Sequence, residues 1–270
     1  MRTLARGTRG DDVARLQALL CLSGFDAKPI DGDFGGGTER AVKACQVDRG
    51  LPATGAAEED TQRAVGMDKP DTTRIPVPVC ARLNVDLVAR MFHRLTPRAN
   101  IERFLPPVLR AFADAGMDDR DLVLMGLATI RAESEGFEPI DEKVSRFNSS
   151  DLSNPSTRFD LYVGRLGNRT RQEAESYRGR GFVQLTGRDN YRIYGERLGI
   201  PLLDAPKRAN DPKIAARILA AFIADKRSRA KYAILGDDLA TARKLVIGGS
   251  HGLDRFTEAF EAGARLLQTS

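Results

Sequence analysis

The sequence predicts a mainly α-helical chain with two unequal parts. A small three-helix unit at residues 1–66 is joined by a linker at 67–81 to a larger α-rich unit at 82–270, with at most a small β-hairpin. Three observations carry this. Apolar residues recur at i, i+3 and i+4 through most of the chain, and alternating apolar runs are short and few. The stretch "GMDKPDTTRIPVPVC", Gly66 to Cys80, has three prolines and no helical period, as a semi-rigid linker would.

Each element has a local reason. In "GTRGDDVARLQALLCLSGF", Asp11 or Asp12 can cap a helix whose Val13, Leu16, Leu19 and Leu20 share a face, and Gly24 can close it. "DGDFGGGTERAVKACQVDRGL" reads as a glycine-rich turn, then Thr38 as N-cap of a helix with Ala41, Val42 and Cys45 inward. "PATGAAEEDTQRAV" adds a turn and a third short helix. Beyond the linker, "NVDLVARMFHRL", "NIERFLPPVLRAFADAG", "DRDLVLMGLATIRAESEGF", "DPKIAARILAAFIADKR" and "DLATARKLVIGG" all show helical spacing. "GFVQLT" is the best strand candidate.

Composition narrows the function classes. No stretch approaches the ~20 apolar residues of a membrane helix. "MRTLARGTRGDD" has charge but no apolar core, so no signal peptide is expected. Cys21, Cys45 and Cys80 are odd in number and lack CxxC spacing, which suits reduced core residues. His93 and His251 are the only histidines, so neither a metal site nor a Ser-His-Asp triad is expected, and no cofactor is implied. Up to Gly66 nine Lys and Arg face ten Asp and Glu; beyond it 33 face 27. The basic second part suits an anionic partner such as a nucleic acid, a membrane surface or an acidic wall polymer.

The order "RGDDVARLQ", "DGDFGGGT", "AVKACQ", "GLPATG" resembles the peptidoglycan-binding-like domain of cell-wall hydrolases, over residues 5 to 65. That resemblance implies a wall-binding role, with Asp31, Gly32, Phe34, Gly35 and Thr38 as candidate residues. The same glycines and Phe34 also suit a purely turn-building role. Cys45 stands where the family usually has an aromatic.

In "GLATIRAESEGFEPIDEKVSRFN", Met125, Leu127 and Ile130 face a core and Glu133 follows one turn beyond Thr129. On a continuous helix Glu142, nine residues on, would lie ~13.5 Å away. Gly136 and Pro139 end the helix instead, so Glu142 can fold back opposite Glu133. Glycosidases need two carboxyls flanking the bond, about 6.5–9.5 Å apart when the stereochemistry inverts. A glutamate at the apolar end of a helix suits the general acid, because desolvation disfavours the charged form.

Alone, such a pair is weak. "AESEGF" with "YRGRGFVQLTGRDNY", "FDLYVGRLGNRT" and "VIGGSHGLDRF" resembles glycoside hydrolase family 19, in particular its phage endolysin branch, over about Met125 to Phe256. The resemblance implies a lysozyme-like α fold and cleavage of β-1,4 bonds in chitin or peptidoglycan. It implies Glu133 as general acid and Glu142 as the base activating water. Gln184, Thr186 and Asn190 would bind sugar, with Gly179 and Gly181 admitting it closely; Arg178 and Arg180 would meet substrate carboxylates or pair with a core acid. Tyr191 and Tyr194 suit a core better than a sugar platform. Ala132 and "SEG" depart from the family's His and Gly-Gly, leaving Glu135 as an extra carboxylate. Ile247 replaces its substrate-binding Asn.

The leading expectation is a monomeric modular endolysin of the muramidase type, held in the host cytoplasm until released to the wall. Its partner is peptidoglycan, with no nucleic acid and no stable membrane insertion. A lytic transglycosylase would use Glu133 alone. A non-catalytic wall-binding or nucleic-acid-binding protein is the alternative from another class, though long basic runs are absent. Membrane activity by "KIAARILAAFIADKR" is a further option.

Overall fold

The computed structural model describes residues 1–249 and 251–268. Helices α1 (Asp11–Leu22), α2 (Gly36–Asp48) and α3 (Glu59–Ala64) come first. Then follow α4 (Val85–Met91), α5 (Arg98–Asp114) and α6 (Arg120–Ser134). Strand β1 (Ile140–Asp141) pairs antiparallel with β2 (Arg180–Gly181), and α7 (Arg171–Ser176) lies between them in sequence. The chain ends with α8 (Arg188–Leu198), α9 (Pro212–Ala224), α10 (Arg227–Leu235), α11 (Leu239–Ile247) and α12 (Leu253–Gln268). It is mainly α, with one two-stranded sheet among the described residues.

Two compact units are present: Met1–Val77 with Lys226–Ser250, and Pro78–Asp225 with His251–Ser270. In the first, Val13, Leu16, Leu20, Phe34, Ala41, Val42 and Cys45 form the core. Two buried glutamines pin its turns. Gln17 Nε2 donates to the Asp33 carbonyl at 3.1 Å and to Thr38 Oγ1 at 3.0 Å, while Gly32 N–H donates back to Gln17 Oε1 at 2.9 Å. Gln46 does the same for the turn at Thr54 to Ala56. Helices α10 and α11 pack here because buried Asp238 accepts from Ile30 N–H at 2.9 Å and caps α11 through Thr241 N–H at 3.0 Å. From the expected linker, Met67 joins this core and Asp71 accepts from Tyr232 Oη at 2.6 Å.

Some caps differ from expectation. Gly10 is the N-cap of α1, so Asp11 and Asp12 sit in its first turn, where they favour the positive end of the helix dipole. Gly35 caps α2, and Thr38 lies inside it, buried at 3% exposure. Its hydroxyl serves Gln17 instead of the helix end. Gly24, at φ 88°, closes α1 as expected.

In the second unit α6 is buried along its whole length from Leu122 to Ala132, packed by α12 and α9, while α5 packs on α9 and α4. Side-chain caps set the starts: Asn84 for α4, Asp119 for α6 and Asp211 for α9. Helix α9 buries Ile214, Ala215, Ala216, Ile218, Leu219 and Ile223, so "KIAARILAAFIADKR" is a core helix and not a membrane-facing one. No described helix is long and apolar enough to cross a membrane. "GFVQLT" is not a strand. Its chain pairs with β1 at Arg180–Gly181 and then turns back at Gln184, φ 50°, so that Leu185 forms an isolated bridge with Arg180, its N–H bonded to the Arg180 carbonyl at 2.8 Å.

Candidate active site

Helix α6 ends at Ser134, placing Glu133 in its last turn, half-buried, next to buried Ala132. Glu135 (φ 39°) and Phe137 (φ 52°) take left-handed backbone and reverse the chain. Phe137 anchors that reversal, its ring packed on Phe92 and Phe182 at centroid distances of 4.9 and 6.3 Å. The chain then runs into β1, so Glu142 does not continue the axis of α6. Glu135 pairs with Arg255, and its side chain is largely exposed.

Glu142 is held from three sides. Its N–H donates to the Gly179 carbonyl at 2.8 Å, and Gly179 N–H returns to Oε2 at 2.9 Å. Oε1 accepts from Asn148 Nδ2 at 2.9 Å and from Tyr162 Oη at 2.7 Å. Asn148 is fully buried and its own Oδ1 is fixed by Ser145 N–H and Ser149 Oγ, both at 2.9 Å. Burial, then the neighbouring Glu142 carboxylate, raises the Tyr162 phenol above its ordinary value, so it stays a donor.

Behind Glu142 lies a charged cluster. Asp141 pairs with Arg178 and lies 2.8 Å from Arg180 Nε, an ion pair without hydrogen-bond alignment; it also accepts from Asn210 Nδ2 at 2.8 Å. Partial burial alone would raise the Asp141 carboxyl, but the bonds from Asn210 and Arg178 and the charge of Arg180 outweigh it and hold it below the usual range. Arg180, fully buried, also donates to Tyr191 Oη at 2.9 Å and to the Ser176 carbonyl at 2.7 Å.

These contacts redirect several expected roles. Arg178 and Arg180 serve Asp141, the core-acid alternative. Gly179 and Gly181 make room for the protein itself: a Cβ on Gly179 would meet Gln184 Oε1 at 2.8 Å, and one on Gly181 the Ala209 carbonyl at 2.8 Å. Gln184 Nε2 donates to the Ile140 and Gly181 carbonyls, Thr186 Oγ1 to the Gln184 carbonyl and Asn190 Nδ2 to the Thr186 carbonyl. These bonds hold the turn beside Glu142, using both Gln184 amide hydrogens and the Thr186 hydroxyl hydrogen, and leave their oxygens and a second Asn190 N–H to offer a ligand. Tyr191 and Tyr194 are buried. In the first unit Phe34 and Thr38 are buried and build the turn, Gly32 is buried with them, and only Asp31 and Gly35 keep exposed surface. The side chain of Ile247 lies outside the described residues. Among the described residues no group of three or more His, Cys, Asp or Glu is arranged to hold a metal.

Sequence reasoning missed Asn148, Tyr162 and Asp141. Tyr162 stands in "FDLYVGRLGNRT", which carried the resemblance, but nothing local ties it to Glu142, 20 residues away.

Residues 9–65 match the family model described as "Putative peptidoglycan binding domain". The resemblance read over residues 5 to 65 is thus met by a family match over nearly the same span. Two spore cortex-lytic enzymes of Bacillus cereus are each 39% identical over 62 residues, 23% of this chain and 24% of the relative. The chain therefore spans about a quarter of the length of these curated relatives. The crystal structure of the Burkholderia AP3 phage endolysin is 19% identical, covering 99% of this chain and 100% of that one, at a TM-score of 0.34. Chitinase C from Streptomyces griseus is 14% identical over 68% of this chain and 76% of that one, at 0.40. Superpositions this loose carry no argument about fold or activity.

Proposed function

We propose that this chain is a peptidoglycan hydrolase, an endolysin of the muramidase type, cleaving the β-1,4 bond of the wall glycan with inversion. Its first unit would hold the wall polymer and its second would cut it, after release from the host cytoplasm. Glu133 acts as general acid on the leaving oxygen, and Glu142 as the base that takes a proton from water.

The observation that carries the reading is the treatment of Glu142. Three donors, Gly179 N–H, Asn148 Nδ2 and Tyr162 Oη, converge on one carboxylate just beyond the reversal after Glu133. A surface glutamate has no need of such a cradle, whereas a base must be oriented within hydrogen-bond reach of its water. The same cradle favours hydrolysis over a transglycosylase, which has no use for a second carboxylate. The match of residues 9–65 to a peptidoglycan-binding family supports the substrate.

The test is digestion of purified peptidoglycan by wild type, Glu133→Gln and Glu142→Gln, with fragments identified by mass spectrometry. Reducing ends from wild type and none from either variant are expected. Anhydro ends, with Glu142→Gln still active, would make it a transglycosylase. Silence from wild type would leave a binding protein.

A further inference from the structure

The end of α6 carries a second feature that the two glutamates do not use. A cavity of about 360 Å³ is lined by His93, Leu95, Thr96, Arg131, Glu135 and Gly136. Arg131 is 6% exposed, and its Nη1 is buried with no hydrogen-bond acceptor. A buried guanidinium nitrogen left without an acceptor is strongly unfavourable unless an anion completes it. Of the two roles the sequence left open for Arg178 and Arg180, substrate carboxylates or a core acid, both take the second, at Asp141.

The walls of this cavity are built and not loosely draped. Thr96 Oγ1 donates to the Glu135 carbonyl at 2.7 Å, and Asn100 Nδ2 donates to the Gly136 carbonyl at 2.8 Å. His93 Nδ1 accepts from Leu95 N–H at 3.2 Å, which leaves the ring proton on Nε2 as a donor. The Glu135 carboxylate is matched by Arg255. One guanidinium charge is then left over, which suits a monoanion such as a carboxylate better than a phosphate dianion.

Arg131 precedes Glu133 by two residues, about 200° around the helix, so its cavity opens on a different face from the general acid. An acid attached directly to the sugar at the scissile bond would lie on Glu133's face. An acid on a side branch can reach around the helix end.

We propose that this cavity binds a carboxylate of the peptide stem carried by the wall glycan, with Arg131 as its anchor. The proposal deepens the reading of the chain as a peptidoglycan hydrolase and rests on it for the identity of the polymer. Arg131 would thereby distinguish peptide-bearing wall from neutral chitin.

The experiment is calorimetric titration of the full chain with three soluble ligands. They are a disaccharide bearing its stem peptide, the same compound with its carboxyls methylated, and the peptide-free disaccharide. In wild type, methylation is expected to weaken binding roughly 10- to 100-fold, the range for hydrogen bonds to a charged group. Arg131→Met should weaken the acid form equally, leave the methylated form unchanged and leave the peptide-free disaccharide unchanged. Arg131→Lys, which keeps the charge but not the fork, should fall between.

Equal binding of acid and ester by wild type overturns the proposal, and that arm needs no variant to fold. Equal loss of all three ligands in Arg131→Met also overturns it, by showing a merely structural arginine. The two readings fail separately. Wall fragments released with no preference for the acid form sink only this site. Acid-dependent binding that Arg131→Met abolishes, with no fragments, sinks the hydrolase and keeps the site, and acid-dependent binding that survives Arg131→Met overturns the site.

Discussion

Gln46 in the first unit and Arg180 in the second are both 2% exposed, and both fasten a glycine-containing turn. Gln46 does so alone, donating to the Ala56 carbonyl at 2.8 Å and Thr61 Oγ1 at 3.0 Å and accepting from Gly55 N–H at 2.9 Å. All its partners lie within 15 residues. Arg180 needs a carboxylate from β1, a tyrosine from α8 and, through Asp141, an amide at Asn210. A neutral amide can be satisfied by nearby backbone, so its turn is self-contained. A buried guanidinium demands an acid, and supplying one ties three distant segments together beside Glu142. The first turn only has to keep its shape; the second has to position a neighbour.

The largest effect that sharpens this contrast is Asp141→Ala. It strands Arg180 and removes the partner of Arg178. Losing one member of a buried pair costs about 3–5 kcal/mol; the lower end, ~3 kcal/mol, applies because the Asp141 side chain is 40% exposed. Urea unfolding should show that loss in the second unit, together with loss of wall lysis as Glu142 loses its strand. A loss below ~1 kcal/mol would mean the cluster is dispensable and the contrast false.

Gln46→Ala should cost less, about 2 kcal/mol. It leaves the buried Gly55 N–H without an acceptor and deprives the Ala56 carbonyl of a donor. The same unfolding experiment should assign this loss to the first unit. Binding of the chain to purified walls should weaken while cleavage of a soluble oligosaccharide stays unchanged. If the soluble reaction fell too, the Gln46 turn would not be self-contained.

The same contrast explains what was legible beforehand. The helices around Val13 and Leu16, or Leu127 and Ile130, were readable because helical spacing alone decides which face is buried. "GFVQLT" misleads, since its short β-branched and aromatic run suits a strand but Gln184 sits at φ 50° and turns the chain, a conformation no spacing reveals. Thr38 was misread as a cap because its true partner, Gln17, lies 21 residues earlier. Glu133 and Glu142 are proposed from flanking motifs and the Gly136–Pro139 break. The cradle on Glu142 was not, because Asn148, Tyr162 and Gly179 converge only once β1 and β2 pair. Arg131 gave no signal at all, since an arginine on an apolar helix usually snorkels to water.

Acid should separate the two turns more gently. The folded Asp141 carboxyl sits below its unfolded value of about 3.9, so its contribution is present above that pH and is lost as pH falls further. Asn210 relays the change, donating to Asp141 and accepting from Gly181 N–H at 2.9 Å. In an NMR titration below about pH 4 the Gly181 amide should move while the Gly55 amide stays, because Gln46 and its partners carry no charge. Movement of both together would point to global acid unfolding.

The smallest effect tests the site most closely. Tyr162→Phe removes one donor from Glu142 Oε1 and leaves Asn148 and Gly179 in place. The ring keeps its packing on Phe159, so any loss of stability should be limited to that one hydrogen bond, about 1.5 kcal/mol or less, and the variant should stay folded. If Glu142 is the base, losing one orienting hydrogen bond of about 0.5–1.5 kcal/mol lowers kcat about 2- to 10-fold with KM unchanged. If Glu142 only braces β1 against Gly179, kcat stays at the wild-type value, because the backbone pairing does not involve the phenol. A fall in kcat in a variant that is still folded therefore separates a positioned base from a structural strut, a distinction that deleting Glu142 itself would blur.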